Sequence, residues 1–124
     1  MTRGIRGATT VVENIESQIL TNTTSLLEEM IHQNNVDPET VSHVFISVTK
    51  DLNDCFPAKS LRQIEGWTYV PVMCMKEIDV PGSLTKCIRI MMVVNTNIKQ
   101  QDIKHIFHNR AIQLRPDLIQ EDGD

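Results

Sequence analysis

The order of hydrophobic periods predicts an α+β domain, a mixed β-sheet with helices packed on it. Three observations carry this. Short runs rich in β-branched residues, bounded by glycine, proline or polar clusters, recur along the chain. One long helical period stands between the first two of them. The other helical stretches are too short and too few to build a bundle.

The elements follow in order. "GIRGATTV" is β-branched and flanked by glycine, and predicts a first strand running to about Val12. Ile15, Ile19, Leu26 and Met30 then fall on one helical face, with Leu20, Leu27 and Ile31 beside them. Glu13, Glu16, Gln18, Glu28 and Glu29 lie largely elsewhere, which makes a long amphipathic helix. It should fray at "QNN", because Asn34 and Asn35 are weak helix formers. In "VDPET", Asp37 is placed to cap and Pro38 to open a short helical turn.

"HVFISVT" alternates, with Val44, Ile46 and Val48 on one face and Phe45 and Ser47 on the other, and is the second strand. "FPAKSLRQI" reads as a short helix starting near Pro57. "WTYVPVMCM" returns to extended structure, with Pro71 marking an edge or a bulge, and "VPGS" is a turn. "CIRIMMVV" reads as a strand buried on both faces. "QQDIKHIFH" predicts a third helix, and "AIQL" a last strand that Pro116 stops.

At 124 residues the chain is most simply one domain, small enough that a deep pocket can need walls from a neighbouring subunit. The acidic end "QEDGD" reads as a disordered tail, so the domain is expected over residues 1–118 and the tail over 119–124. A net charge of -4 argues against a general nucleic-acid binder. No apolar run is long enough to cross a bilayer and the start has no signal-peptide core, so a cytoplasmic address is expected. Cys55, Cys74 and Cys87 are odd in number and lack a CxxC pair, which suggests reduced thiols rather than a disulfide framework or a thiolate zinc site.

Arg89 raises the question of chemistry. A guanidinium inside an apolar strand cannot shed its proton and needs an anionic partner. Arg6 lies in the first strand and Arg115 at the end of the expected last one, while Lys59 and Arg62 are three residues apart on one helix face. These cations could converge on a polyanion, or each could be a solvated strand-end residue. Glu77 could pair with one of the arginines or accept a hydrogen bond from a substrate hydroxyl, and the sequence does not separate the two. Cys74 has no histidine placed beside it and reads as a buried structural thiol. His105 and His108 are three apart on the expected helix, without an evident third metal ligand. There is no phosphate loop, dinucleotide fingerprint or local triad motif.

"RGIRGATT", "FPAKSLRQIEGWTYVPVMCMKEIDVPGSL", "KCIRIMMVV" and "LRPDL", in this order and spacing, resemble the small monofunctional chorismate mutases of the trimeric mixed α/β type. The similarity runs in register from about Arg3 to Leu118. It implies a homotrimeric pseudo-α/β-barrel with active sites in clefts between adjacent subunits. It also implies the Claisen rearrangement of chorismate to prephenate, on the route to phenylalanine and tyrosine, without cofactor or metal. Chorismate is a dicarboxylate, so the arginines acquire a partner.

The resemblance further implies roles. Arg89 is expected to hydrogen-bond the ether oxygen of the breaking bond, Arg6 to hold the enolpyruvyl carboxylate, and Glu77 to accept from the ring hydroxyl with Cys74 close by. Phe56, Ala58, Val72 and Leu114 would form apolar walls. Lys59, Arg62 and Arg115 would gather charge at the cleft mouth. The chain departs from the family at Phe107, where tyrosine is common, at Met73, a usual threonine, and at Ile78, a usual methionine. The alternative function is a non-catalytic trimer binding an anionic metabolite.

Overall fold

The structure is a computed structural model, and it describes residues 1–114. Its strands are β1 (Thr2–Thr10), β2 (Val41–Val48), β3 (Val72–Lys76), β4 (Cys87–Asn95) and β5 (Ile106–Phe107). They form one mixed sheet in the order β3, β2, β4, β1, β5. β4 runs antiparallel to both β1 and β2, while β3 pairs parallel to β2 and β5 parallel to β1. Pro71 precedes β3, an edge strand, where its missing N–H costs no ladder bond.

Two helices, α1 (Glu16–Gln33) and α2 (Ala58–Arg62), cover the sheet. Ile19, Leu26, Leu27 and Met30 of α1 and Leu61 of α2 are fully buried against Ile5, Val44, Ile46, Ile88, Ile90 and Met92 of the strands. The Ser60 hydroxyl donates to the Leu20 carbonyl at 3.0 Å and fixes α2 on α1. At Gly7 the helix comes so near that a Cβ would overlap the Met30 sulfur, which is why the smallest residue stands there. The α1 N-terminus is capped from afar: the Glu16 N–H donates to Asp54 Oδ2 at 2.7 Å. The helix ends at "QNN", the stretch expected to fray, and beyond it Asn35 takes a left-handed φ of 49°. Asp37 Oδ1 accepts from the Glu39 N–H at 3.0 Å and caps the 3₁₀ turn Pro38–Thr40.

Four expectations are overturned. The first half of "WTYVPVMCM" is a turn in which the Val70 N–H donates to the Trp67 carbonyl at 3.2 Å, and only Val72–Lys76 is extended. "QQDIKHIFH" is a 3₁₀ turn at Gln100–Asp102 followed by the two-residue strand β5. Ile103, Ile106 and Phe107 are all buried, and their spacing suits a helix as well as this arrangement; pairing with the free edge of β1 decides between them. "AIQL" lies in a 3₁₀ helix, Asn109–Leu114, entered through Asn109 at a φ of 55°. "CIRIMMVV" is buried on one face only: Ile88, Ile90, Met92 and Val94 point into the core, whereas Arg89, Met91 and Val93 point to the opposite, open face. The expected tail, residues 119–124, lies outside the described residues.

Candidate active site

Register builds the site. Met75 pairs with Ser47, Ser47 with Arg89, Arg89 with Ala8 and Ala8 with Phe107, so one transverse row crosses all five strands. Paired residues share a face, and this row lies on the face away from the helices. The neighbouring row runs Met73, Phe45, Met91, Arg6. Arg6 thus stands one diagonal step from Arg89, two residues along the same face.

Glu77 follows β3 and stays in line, its N–H donating to the Val48 carbonyl at 2.8 Å. Its carboxylate turns over the row. Oε2 accepts from the Ser47 hydroxyl at 2.5 Å and lies 3.5 Å from Arg89 Nε. The Arg89 side chain is 39% exposed, so the cation has both a carboxylate partner and access to the open face. Arg6, Glu77, Arg89, Phe107 and Leu114 all line a cavity of about 400 Å³ on this face.

The remaining expected residues gather elsewhere. A larger cleft of about 840 Å³, beside α2 and the end of β3, is lined by Phe56, Lys59, Arg62 and Cys74 among others. Lys59 Nζ is 3.8 Å from Glu16 Oε2, both side chains half-exposed. Ala58 is buried at the start of α2, and Val72 and Cys74 lie on the helix-side face of β3, opposite Val44 and Ile46. Within one chain, therefore, Cys74 and Glu77 are on opposite faces of the sheet and not adjacent. Met73 is on the open face, 61% exposed, and Ile78 is exposed as well. Arg115 lies outside the described residues.

Burial pushes the Cys74 thiol above its ordinary value, while a hydrogen bond from the Ala58 backbone and the charge of Arg62 pull the other way. Burial also raises Cys55 and Cys87. A thiol shifted upward is a poor nucleophile near neutrality, as expected for a structural cysteine. His105 and His108 do not share a helix face but flank β5. His105 Nδ1 accepts from the Arg6 N–H at 2.9 Å, and His108 Nε2 meets Glu29 Oε2 at 2.6 Å. Among the described residues no group of three or more His, Cys, Asp or Glu side chains is arranged to hold a metal ion.

Sequence reading missed Ser47 as part of the site. Its outward position in β2 was legible, but only the β2–β4 register puts it beside Arg89 and under Glu77.

A family model described as chorismate mutase type I matches residues 2–118. The chain is 51% identical over 118 residues to the chorismate mutase AroH of Bacillus subtilis (strain 168), covering 95% of this chain and 93% of that protein. It is 41% identical over 119 residues to the chorismate mutase AroH of Thermus thermophilus, with 95% and 97% covered. A solved chorismate mutase from Clostridium thermocellum superposes with a TM-score of 0.84 at 49% identity, over 87% of this chain and 96% of that one.

Proposed function

The chain belongs to the chorismate mutase type I family, and from that premise we propose that it rearranges chorismate to prephenate in clefts each shared by two subunits of a homotrimer. It is an enzyme, an isomerase of aromatic amino-acid biosynthesis. Residence in the cytoplasm belongs to the same reading, since the reaction is a step of amino-acid synthesis.

The observation that carries the mechanism is the Arg89–Glu77 pair on an uncovered sheet face. In the rearrangement the C–O bond breaks ahead of C–C formation, so negative charge grows on the ether oxygen. A guanidinium fixed by its strand and by Glu77, and aimed at that oxygen, binds the transition state better than the ground state. Arg6, on the adjoining row, is positioned to take a carboxylate of the same substrate. The Glu77 carboxylate lines the same cavity and is the acceptor for the ring hydroxyl in this reading. Holding the flexible substrate in its compact diaxial form supplies the conformational share of the acceleration. No proton is transferred and no covalent intermediate forms.

Two features support the shared cleft. The expected residues divide into two half-sites on different parts of one chain, Arg6, Glu77, Arg89, Phe107 and Leu114 in one and Phe56, Lys59, Arg62 and Cys74 in the other. The open sheet face also carries Phe45, Met73, Met75 and Met91, each more than a third exposed, an apolar surface that a trimer would bury at its centre. Residues 1–118 would then be the catalytic domain, with 119–124 beyond it.

The decisive experiment follows the ultraviolet absorbance of chorismate with purified protein in EDTA, beside the Arg89→Ala variant. Conversion to prephenate by the wild type, lost in the variant, supports the reading. A folded wild type that binds chorismate without converting it would leave the binding-protein alternative standing.

A further inference from the structure

We propose that His108 and Glu29 are positioning residues for the reaction, a pair that sets the direction of the Phe107 ring in the site. The proposal rests on the chorismate mutase reading only for its kinetic consequence; the mechanical part stands on the geometry alone.

Phe107 closes the transverse row that contains Arg89, and it lines the same cavity. Yet it sits in a strand of two residues at the end of the sheet, paired only with Gly7 and Ala8 of β1. So short an edge strand is a poor rotational reference, because two ladder pairs leave the ribbon free to roll about its axis. Phe107 and His108 are consecutive, so in extended backbone their side chains leave on opposite sides. On the site side the Phe107 ring packs with Ala8 and Ala111, and whatever holds the His108 ring on the helix side restrains the same backbone from the other side and so sets the direction in which the Phe107 ring leaves it.

Glu29 of α1 supplies that hold. Its Oε2 is 2.6 Å from His108 Nε2, with the two side chains 43% and 27% exposed. A carboxylate only accepts, so Nε2 carries the hydrogen whether the ring is charged or neutral. The rest of the strand is fastened at its backbone. Asn34, just beyond α1, accepts from the Lys104 N–H and donates to the Lys104 carbonyl, both at 2.9 Å, and the His108 N–H donates to the Ala8 carbonyl at 2.9 Å. Asn109 Nδ2 donates to Thr9 Oγ1 at 3.1 Å. Asn34, Asn109 and the ladder fix where β5 lies. The Glu29–His108 contact fixes, from the helix side, which way its side chains face.

The test uses the full-length protein and the variants Glu29→Ala, His108→Ala, their double mutant, and Glu29→Gln. Glu29→Gln retains an acceptor for the Nε2 hydrogen. Each alanine variant is expected to raise KM for chorismate about 2- to 5-fold, the reach of one partly exposed pair, with kcat changed less. The double mutant should be no worse than either single, and Glu29→Gln should stay near the wild type. Hydrogen exchange gives a readout independent of turnover: the His108 amide should exchange faster in the alanine variants while the β1–β4 ladder stays protected. An unchanged KM in either alanine variant overturns the proposal, as do effects that multiply in the double mutant or unaltered exchange at His108. Inactive wild-type protein with the exchange pattern as expected would refute the activity and leave the pin intact.

Discussion

Glu77 Oε2 accepts from Ser47 and faces Arg89 Nε at 3.5 Å, so a single carboxylate oxygen ties the end of β3 to the middle of β4 across the open side of the sheet. The contact holds the guanidinium by its Nε edge. Arg89 also hydrogen-bonds the Cys87 thiol and lines the cavity, where a guanidinium fork can serve an ether oxygen and a carboxylate together.

Replacing Arg89 by lysine should therefore be severe. An ammonium keeps the charge but is a point donor on a different stem and cannot make both contacts from the same strand position. Loss of a preorganised donor at developing charge costs on the order of 100- to 1,000-fold in rate, about 3–4 kcal/mol. Initial rates of chorismate loss should show kcat/KM of Arg89→Lys reduced by that order with the thermal midpoint little moved. Near-normal turnover would remove Arg89 from the ether oxygen.

Much of this was open to reading from sequence, and the remainder has a common cause. The alternation in "HVFISVT" and "CIRIMMVV" put Ser47 and Arg89 on definite faces of their strands, and the helical period of Ile19, Leu26 and Met30 gave α1. Which β2 residue faces Arg89 depends on register, a long-range property that no local pattern fixes. β5 failed for a related reason. Ile103, Ile106 and Phe107 fit a helical spacing, and only the free edge of β1 makes the extended form better. The apolar Met91 and Val93 suggest burial on both sides, yet that face is open: Met91 is exposed and Val93 only partly buried.

Phe107→Tyr should improve substrate binding. The Phe107 ring is packed by Ala8 and Ala111 and lines the Arg89 cavity, so a para hydroxyl would extend from a fixed ring toward the substrate carboxylate. One added hydrogen bond to a charged group is worth about 1.5 kcal/mol or somewhat more. The expected result is KM for chorismate lowered about tenfold with kcat less affected. Saturation kinetics on the two proteins side by side check it, and an unchanged KM would mean that the ring does not face the carboxylate.

The three thiols set an alkaline limit. Burial raises Cys55, Cys74 and Cys87 above their ordinary 9.0 in the folded chain, so each resists ionising there while the unfolded chain ionises freely. Stability from these groups is complete below the unfolded value and is lost as pH rises through the folded values. Thermal midpoints should be indifferent to them between about pH 6 and 8 and should fall more steeply above 9.0 than in a Cys55→Ala, Cys74→Ala, Cys87→Ala variant. Parallel curves for the two proteins would show that the thiols are no better buried than in the unfolded chain.

The division of the site between two cavities predicts complementation. If a cleft joins the Arg89 cavity of one subunit to the Arg62 cavity of the next, then Arg89→Ala disables one half-site and Arg62→Glu the other. Each variant alone has every cleft damaged. Unfolded together and refolded as mixed trimers, they regenerate clefts in which the intact half of one variant meets the intact half of the other. Random assembly at equal concentrations makes about a quarter of all clefts intact, because the two halves of each cleft are drawn independently from the two chains. Chorismate turnover should recover to about that fraction of the wild type, and only after co-refolding. Simply pooling the folded variants should give nothing. No recovery from trimers shown by mass to be mixed would mean that a single chain supplies both halves, and the shared cleft would be overturned.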